Sequence, residues 1–144
     1  MKLAVSAQQN SLDSPFEFRF GNARGFVLYD TDTESVSYIE NWTRFNPNLN
    51  AGMHLVQLIN AQGVQAIITG SIGPKATSAL AQTEIMVYPF QGETVREALR
   101  AYEKGYLNHI RRTERQGSVH VGPPSAGQEF DAGRQYRYTN TGTR

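Results

Sequence analysis

The chain has 144 residues, no cysteine, and a formal net charge of +1 from 14 Lys+Arg against 13 Asp+Glu. That length points to one domain with room for a tail. The charge balance offers no global attraction to nucleic acid or to an anionic membrane. The missing thiols exclude disulfides, thiolate-ligated zinc or iron–sulfur clusters, and a thiol nucleophile. "MKLAVSAQQNSLD" has too short an apolar run for a signal peptide, and no later stretch is long enough to span a bilayer, so a soluble cytoplasmic protein is expected.

In chain order, "KLAVSA" (Lys2 to Ala7) reads as a first strand, followed by a long loop, "QQNSLDSPFEFRFGN", full of breakers. "RGFVLYD" (Arg24 to Asp30) and "SVSYIEN" (Ser35 to Asn41) read as second and third strands, joined as a hairpin through "TDTE". After the loop "WTRFNPNLNAG", the segment Gly52 to Gln62 is helical, with Leu55, Val56 and Ile59 on one face and Gly63 as C-terminal cap. "QAIITG" is a fourth strand, apolar enough to be buried on both faces. "PKATSALAQ" is a short helix with Pro74 in its first turn, and "EIMVYP" (Glu84 to Pro89) is a fifth strand. "GETVREALRAYEKGYL" is an amphipathic helix with Val95, Ala98, Leu99 and Tyr102 on its apolar face.

This order predicts an α/β fold. A mixed five-stranded sheet, order 3-2-1-4-5 with the second strand antiparallel, is flanked by helices. The domain spans residues 1–107. Residues 108–144 lack periodicity, are rich in Gly, Pro, Ser, Gln and Arg, and read as a flexible or disordered tail.

The predicted sheet has a switch point where the connections leaving the first and fourth strands diverge, and ligands of open α/β sheets bind beyond the strand carboxyl ends at such places. The long loop, the loop before His54 and the turn "GSIGPK" meet there. Taken locally, that turn is a tight connection. With Arg19, Arg24, His54 and Lys75 ringing the same end, it becomes a candidate anion site through Gly70, Ser71, Gly73 and Lys75.

Each candidate has a plainer reading. Lys75 neutralises a bound anion or is a solvated lysine at a helix start, where the dipole disfavours it. Arg19 faces the site or lays its stem over Phe16 or Phe20. Arg24 is a site cation or a solvated strand end. His54 is a metal ligand or a surface histidine, and Met53 a soft ligand or core packing. Trp42 and Phe45 wall the site or close the core. His109 and His120 stand in the tail without a second ligand at useful spacing. "RRTER" (Arg111 to Arg115) binds nucleic acid or an acidic partner, or is a solvated helix end, the plainer reading.

Three segments in series resemble the dinitrogenase iron–molybdenum cofactor biosynthesis family. They are "LDSPFEFRFGNARGFVLYD", "GVQAIITGSIGPKATSAL" and "VYPFQGETVREALRAYEKGYL", together covering roughly residues 1–107. The resemblance implies a ribonuclease-H-like sheet and non-catalytic carriage of an anionic metal–sulfide cluster held noncovalently. It includes small cofactor carriers of nitrogenase assembly and the orange protein of sulfate reducers. The implied cargo is therefore a molybdenum–copper sulfide cluster or the iron–molybdenum cofactor or its precursor, and the implied partners are other cytoplasmic proteins of the same pathway. A chain without cysteine suits a cluster that brings its own sulfides and needs cations, N–H donors and an apolar wall. Two other functions compete. A two-metal nuclease needs clustered carboxylates, yet the first strand has none and Asp30, Asp32 and Glu34 fall at the opposite end of the sheet. A scaffold or regulatory protein would act through the tail; deletion after Leu107 separates this from carriage, and cluster binding is expected to survive it, the core doing the work.

Overall fold

The structure is a computed structural model that describes residues 1–45, 50–110 and 119–120, the last pair by backbone alone. "RRTER" and most of "NPNLN" lie outside the described residues.

The strands are β1 (Lys2–Ala7), β2 (Gly25–Asp30), β3 (Val36–Glu40), β4 (Ala66–Thr69), β5 (Ser71–Ile72), β6 (Met86–Pro89) and β7 (Val119–His120). The helices are α1 (Ala51–Ala61), α2 (Pro74–Leu80) and α3 (Val95–Glu103). Five strands form one mixed sheet in the order β3-β2-β1-β4-β6. β2 is antiparallel to β1 and β3, while β1, β4 and β6 run parallel. This is the expected order, with the two-residue β5 inserted in the chain between the fourth and fifth main strands.

The alternation of side chains along each strand divides the core in two. Ala4, Phe26, Leu28, Ile67 and Val87 face α1 and α2. Leu3, Val5, Val27, Ala66 and Ile68 face α3. All four residues of β4 are buried, as its unbroken apolar run requires with helices on both faces.

The helix limits follow from local chemistry. α1 ends where Gly63 takes a left-handed φ of +78°. α3 starts at Thr94, whose hydroxyl accepts the Glu97 N–H, while the Glu97 carboxylate accepts the Glu93 N–H; the reciprocal pair satisfies donors that a helix start leaves open. It stops at Glu103 instead of running to Leu107, because Gly105 adopts φ +77° and its N–H turns back to the Tyr102 carbonyl. Ile110, in the segment read as tail, then donates to the Val87 carbonyl along the β6 edge.

The end of the sheet away from the strand carboxyl ends of β1 and β4 is acidic. There Asp30 accepts the N–H groups of Asp32 and Thr33, and these bonds hold its carboxyl below the usual value near 3.8, with the N-terminal ammonium adding to the effect. A depressed folded-state value contributes stability above the unfolded pKa that is lost as pH falls through the folded one. Asp30→Asn keeps an acceptor oxygen but not the charge. Its urea midpoint is expected to fall less steeply than the parent's below about pH 4; equal slopes would contradict this.

Candidate functional site

The carboxyl ends of β1 and β4 are tied together from below. Ser6 and Thr69, both buried, pair through their hydroxyls at 2.8 Å, and the Ser6 hydroxyl also donates to the Glu17 carbonyl at 2.6 Å. These bonds pin the long loop onto the two parallel strands at the switch point. Phe20, 1% exposed, anchors the next stretch by packing on Phe26, ring centroids 5.2 Å apart. A third tie is Asn41. Its side-chain amide, fully buried, donates to the carbonyls of Gly21 and Ala23, and its oxygen accepts from both the N–H and the hydroxyl of Thr43. The loop bearing Arg24 is thus fixed to the turn bearing Trp42.

On this frame Arg19 is exposed and forms a parallel bridge with Ser71, which puts it beside the glycine turn. Arg24 is exposed at the start of β2 and donates its N–H to the Ala7 carbonyl at the end of β1. Neither arginine nor Lys75 forms an ion pair with a described residue. Lys75 is exposed in the first turn of α2. The first turns of α1 and α2 abut: a Cβ added at Gly52 would lie 3.2 Å from Ala76. His54 and Lys75 therefore flank one helix junction. His54 is half-buried and stacks on Trp42, ring centroids 6.5 Å apart at 28°. Trp42 and Phe45 are 51% and 64% exposed, so they form an open shelf and do not close the core.

Gly70 and Ser71 do something other than present their N–H groups to a ligand. Both donate to the Phe18 carbonyl, at 2.9 and 2.7 Å. A Cβ on Gly70 would collide with the Phe18 ring, so the glycine lets the loop pack closely here. Gly73 is exposed, with open space around its Cα, and caps α2 without a side-chain partner. Of the turn residues, Gly73, Pro74 and Lys75 are exposed. Met53 is half-buried on α1.

Sequence reasoning missed three contributors. Phe18 takes both turn donors and covers Gly70. Asn41 ties two loops. Arg44 is an exposed cation whose guanidinium sits 4.2 Å over the Phe45 ring. A strand-terminal Asn and an Arg beside an exposed aromatic are visible as letters, but their partners lie in distant segments. The charge of Arg44 is felt at Tyr38 of β3: burial and Glu40 raise the phenol above its usual range, while Arg44 and Arg24 pull it back. Carboxylates are not absent from this end, since Glu40 is paired with Gly25 and Glu17 engages Gln8 and the Arg19 N–H. Among the described residues no three of His, Cys, Asp and Glu gather as a metal site. A shallow hollow of about 390 Å³ beside Phe90, Gly92 and Arg100 involves none of the candidate residues. No helix of the described residues is long and apolar enough to cross a membrane.

Comparison with known proteins bears on this geometry. The profile of the family described as dinitrogenase iron-molybdenum cofactor matches residues 1–105. An uncharacterized protein of Methanocaldococcus jannaschii is 33% identical over 110 residues, 74% of this chain and 89% of that one. The apo form of the orange protein from Desulfovibrio gigas superposes with a TM-score of 0.71 at 32% identity, covering 76% of this chain and 92% of that one. A putative NifB protein from Thermotoga gives a TM-score of 0.67 at 30% identity, covering 75% and 91%.

Proposed function

Because the chain belongs to the dinitrogenase iron–molybdenum cofactor family, we propose that it binds and carries an anionic metal–sulfide cluster, without catalysis, at the carboxyl end of its parallel strands. The observation that supports this reading is that Arg19, Arg24 and Lys75 are exposed and unpaired with described carboxylates, Arg19 beside Ser71, Arg24 at the start of β2 and Lys75 in the first turn of α2, while His54 stacks on Trp42 near the start of α1. A cluster with its own sulfides needs charge neutralisation and a polarisable surface from its carrier, not a set of thiolates. Lys75 and Arg19 supply charge beside the glycine turn, and Arg24 supplies it from the β2 side. The Trp42 face supplies the apolar shelf, and the imidazole of His54 offers one nitrogen to a metal or an N–H to a sulfide. Gly70 and Ser71 act by holding the loop that carries Arg19, and Gly73 leaves the approach open.

The cargo proposed is a molybdenum–copper sulfide cluster, supported by the likeness to the orange protein. The likeness to a putative NifB protein favours an iron–molybdenum cofactor precursor as a second cargo. In either case the partners are the cytoplasmic proteins that deliver and receive it. The test is to incubate the purified protein anaerobically with a copper(I) salt and tetrathiomolybdate, desalt it, and record the visible spectrum and metal content. Retained charge-transfer bands with stoichiometric molybdenum and copper are expected. Colourless protein without metal, followed by the same result with iron–molybdenum precursors, would overturn carriage.

A further inference from the structure

β3 is the last strand on its side of the sheet, and among the described residues nothing bridges its outer edge. The other side of the sheet differs, since Ile110 bridges Val87 of β6 and Pro89 closes that strand. Exposed edges are ordinarily blunted by lysine, proline or a bulge. β3 reads "VSYIE" and has none of these; its register against β2 is unbroken from Val36 to Glu40. The Asn41 N–H donates to the Arg24 carbonyl and the Asp30 N–H to the Ser35 carbonyl, so the odd-numbered residues from Ser35 to Asn41 bond to β2. By antiparallel alternation, Val36, Tyr38 and Glu40 turn their N–H and C=O groups outward. Val36 is 44% exposed, and the Tyr38 ring does not cover the edge, because it lies back over Gly25 of β2.

The two ends of this edge carry opposite charge. Asp32 and Glu34, both exposed, precede β3; Arg44, also exposed, follows it, with Arg24 at the adjoining end of β2. The N-terminal ammonium offsets part of the acidic charge at Asp32, while Glu34 and Arg44 form no ion pair with a described residue. An edge with unlike ends complements a copy of itself turned end for end. We propose that two copies of the chain join antiparallel through β3, about a two-fold axis at Tyr38. Centring there uses all three outward rows: Tyr38 faces Tyr38 of the other copy, and Val36 faces Glu40 in both directions. Residues 32 and 34 of one copy then come level with residues 44 and 42 of the other, acid beside base at each end. Glu40, the acid nearest the basic end, faces Val36 and no carboxylate. Pairing needs no cargo, so it stands apart from the carrier reading.

Sedimentation equilibrium of the full chain without cargo, at low and high salt, tests this. A monomer–dimer equilibrium weakened by salt is expected. Val36→Pro removes one outward N–H without touching a bond to β2, and should raise the dissociation constant by about tenfold or more. Arg44→Glu and Glu34→Lys should each raise it by about tenfold, and the two together should bring it back to within about threefold of the parent's, because the swap restores unlike ends. Urea midpoints near the parent's show that each variant is folded; should Val36→Pro unfold, the charge swap decides by itself. A parent that stays monomeric up to about 1 mM would overturn self-pairing and leave the edge to an extended strand of another protein. A dimer that a folded Val36→Pro leaves intact would overturn β3 as the interface. A dimer lost in that variant but indifferent to both charge changes would overturn the end-for-end arrangement.

Discussion

Replacing Arg19 and Lys75 together by alanine is expected to weaken retention of the copper–tetrathiomolybdate cluster by about a hundredfold, and each single change by about tenfold. Both side chains are exposed, so a single contact to a monovalent partner would be worth little here. A multiply charged sulfide cluster differs, since every cation within a Debye length of it contributes. For the same reason, retention should fall steeply with added salt in the parent and less steeply in the double variant. Lys75→Arg should hold the cluster nearly as well as the parent, because charge survives. Titration followed in the visible range at several salt concentrations measures all five proteins. A double variant that binds like the parent would remove the cationic pole from the argument, whatever the cargo.

Phe26→Ala is expected to cost about 3–5 kcal/mol of folding stability, a large share of the roughly 5–15 kcal/mol typical of a small domain. Phe26 is fully buried in β2, between the central strand and the α1–α2 face, and the surrounding residues are too well packed to refill its volume. Tyr106→Ala, at a side chain 59% exposed, should stay within about 0.5 kcal/mol. Urea unfolding at constant m-value separates the two. The Phe26 change should also reach the site, since its ring supports Phe20 and through it the loop carrying Arg19. A loss below about 1 kcal/mol would mean that the core collapses around the gap more readily than its packing implies.

Much of the fold was legible in advance because local signals agreed with one another. β4 is an uninterrupted apolar run, Gly63 stands where a left-handed cap is needed, and Pro74 opens α2. Crossover handedness then left few ways to order the strands. That order also puts the end of β4 beside the start of α2, since the end of a strand and the start of the helix that follows it coincide. α3 was read too long because its apolar periodicity continues past Gly105, and only the φ of that glycine ends it.

What the sequence by itself determined is the sheet order and the two-faced core, since each follows from periodicity, turn residues and chain connectivity. The detail of the site was decided by tertiary contacts between segments far apart in the chain. Phe18, not a ligand, claims the N–H groups of Gly70 and Ser71; Asn41 locks the Arg24 loop to the Trp42 turn; and Gly52 lets the two helix starts touch. The two-residue strand at Ser71–Ile72 is too short to carry any periodicity, so its bridge to Arg19 of the long loop and its pairing with β7 are set by tertiary contact. A hydrogen-bond donor's partner is chosen by what folding brings within reach, and no local pattern of residues records that choice.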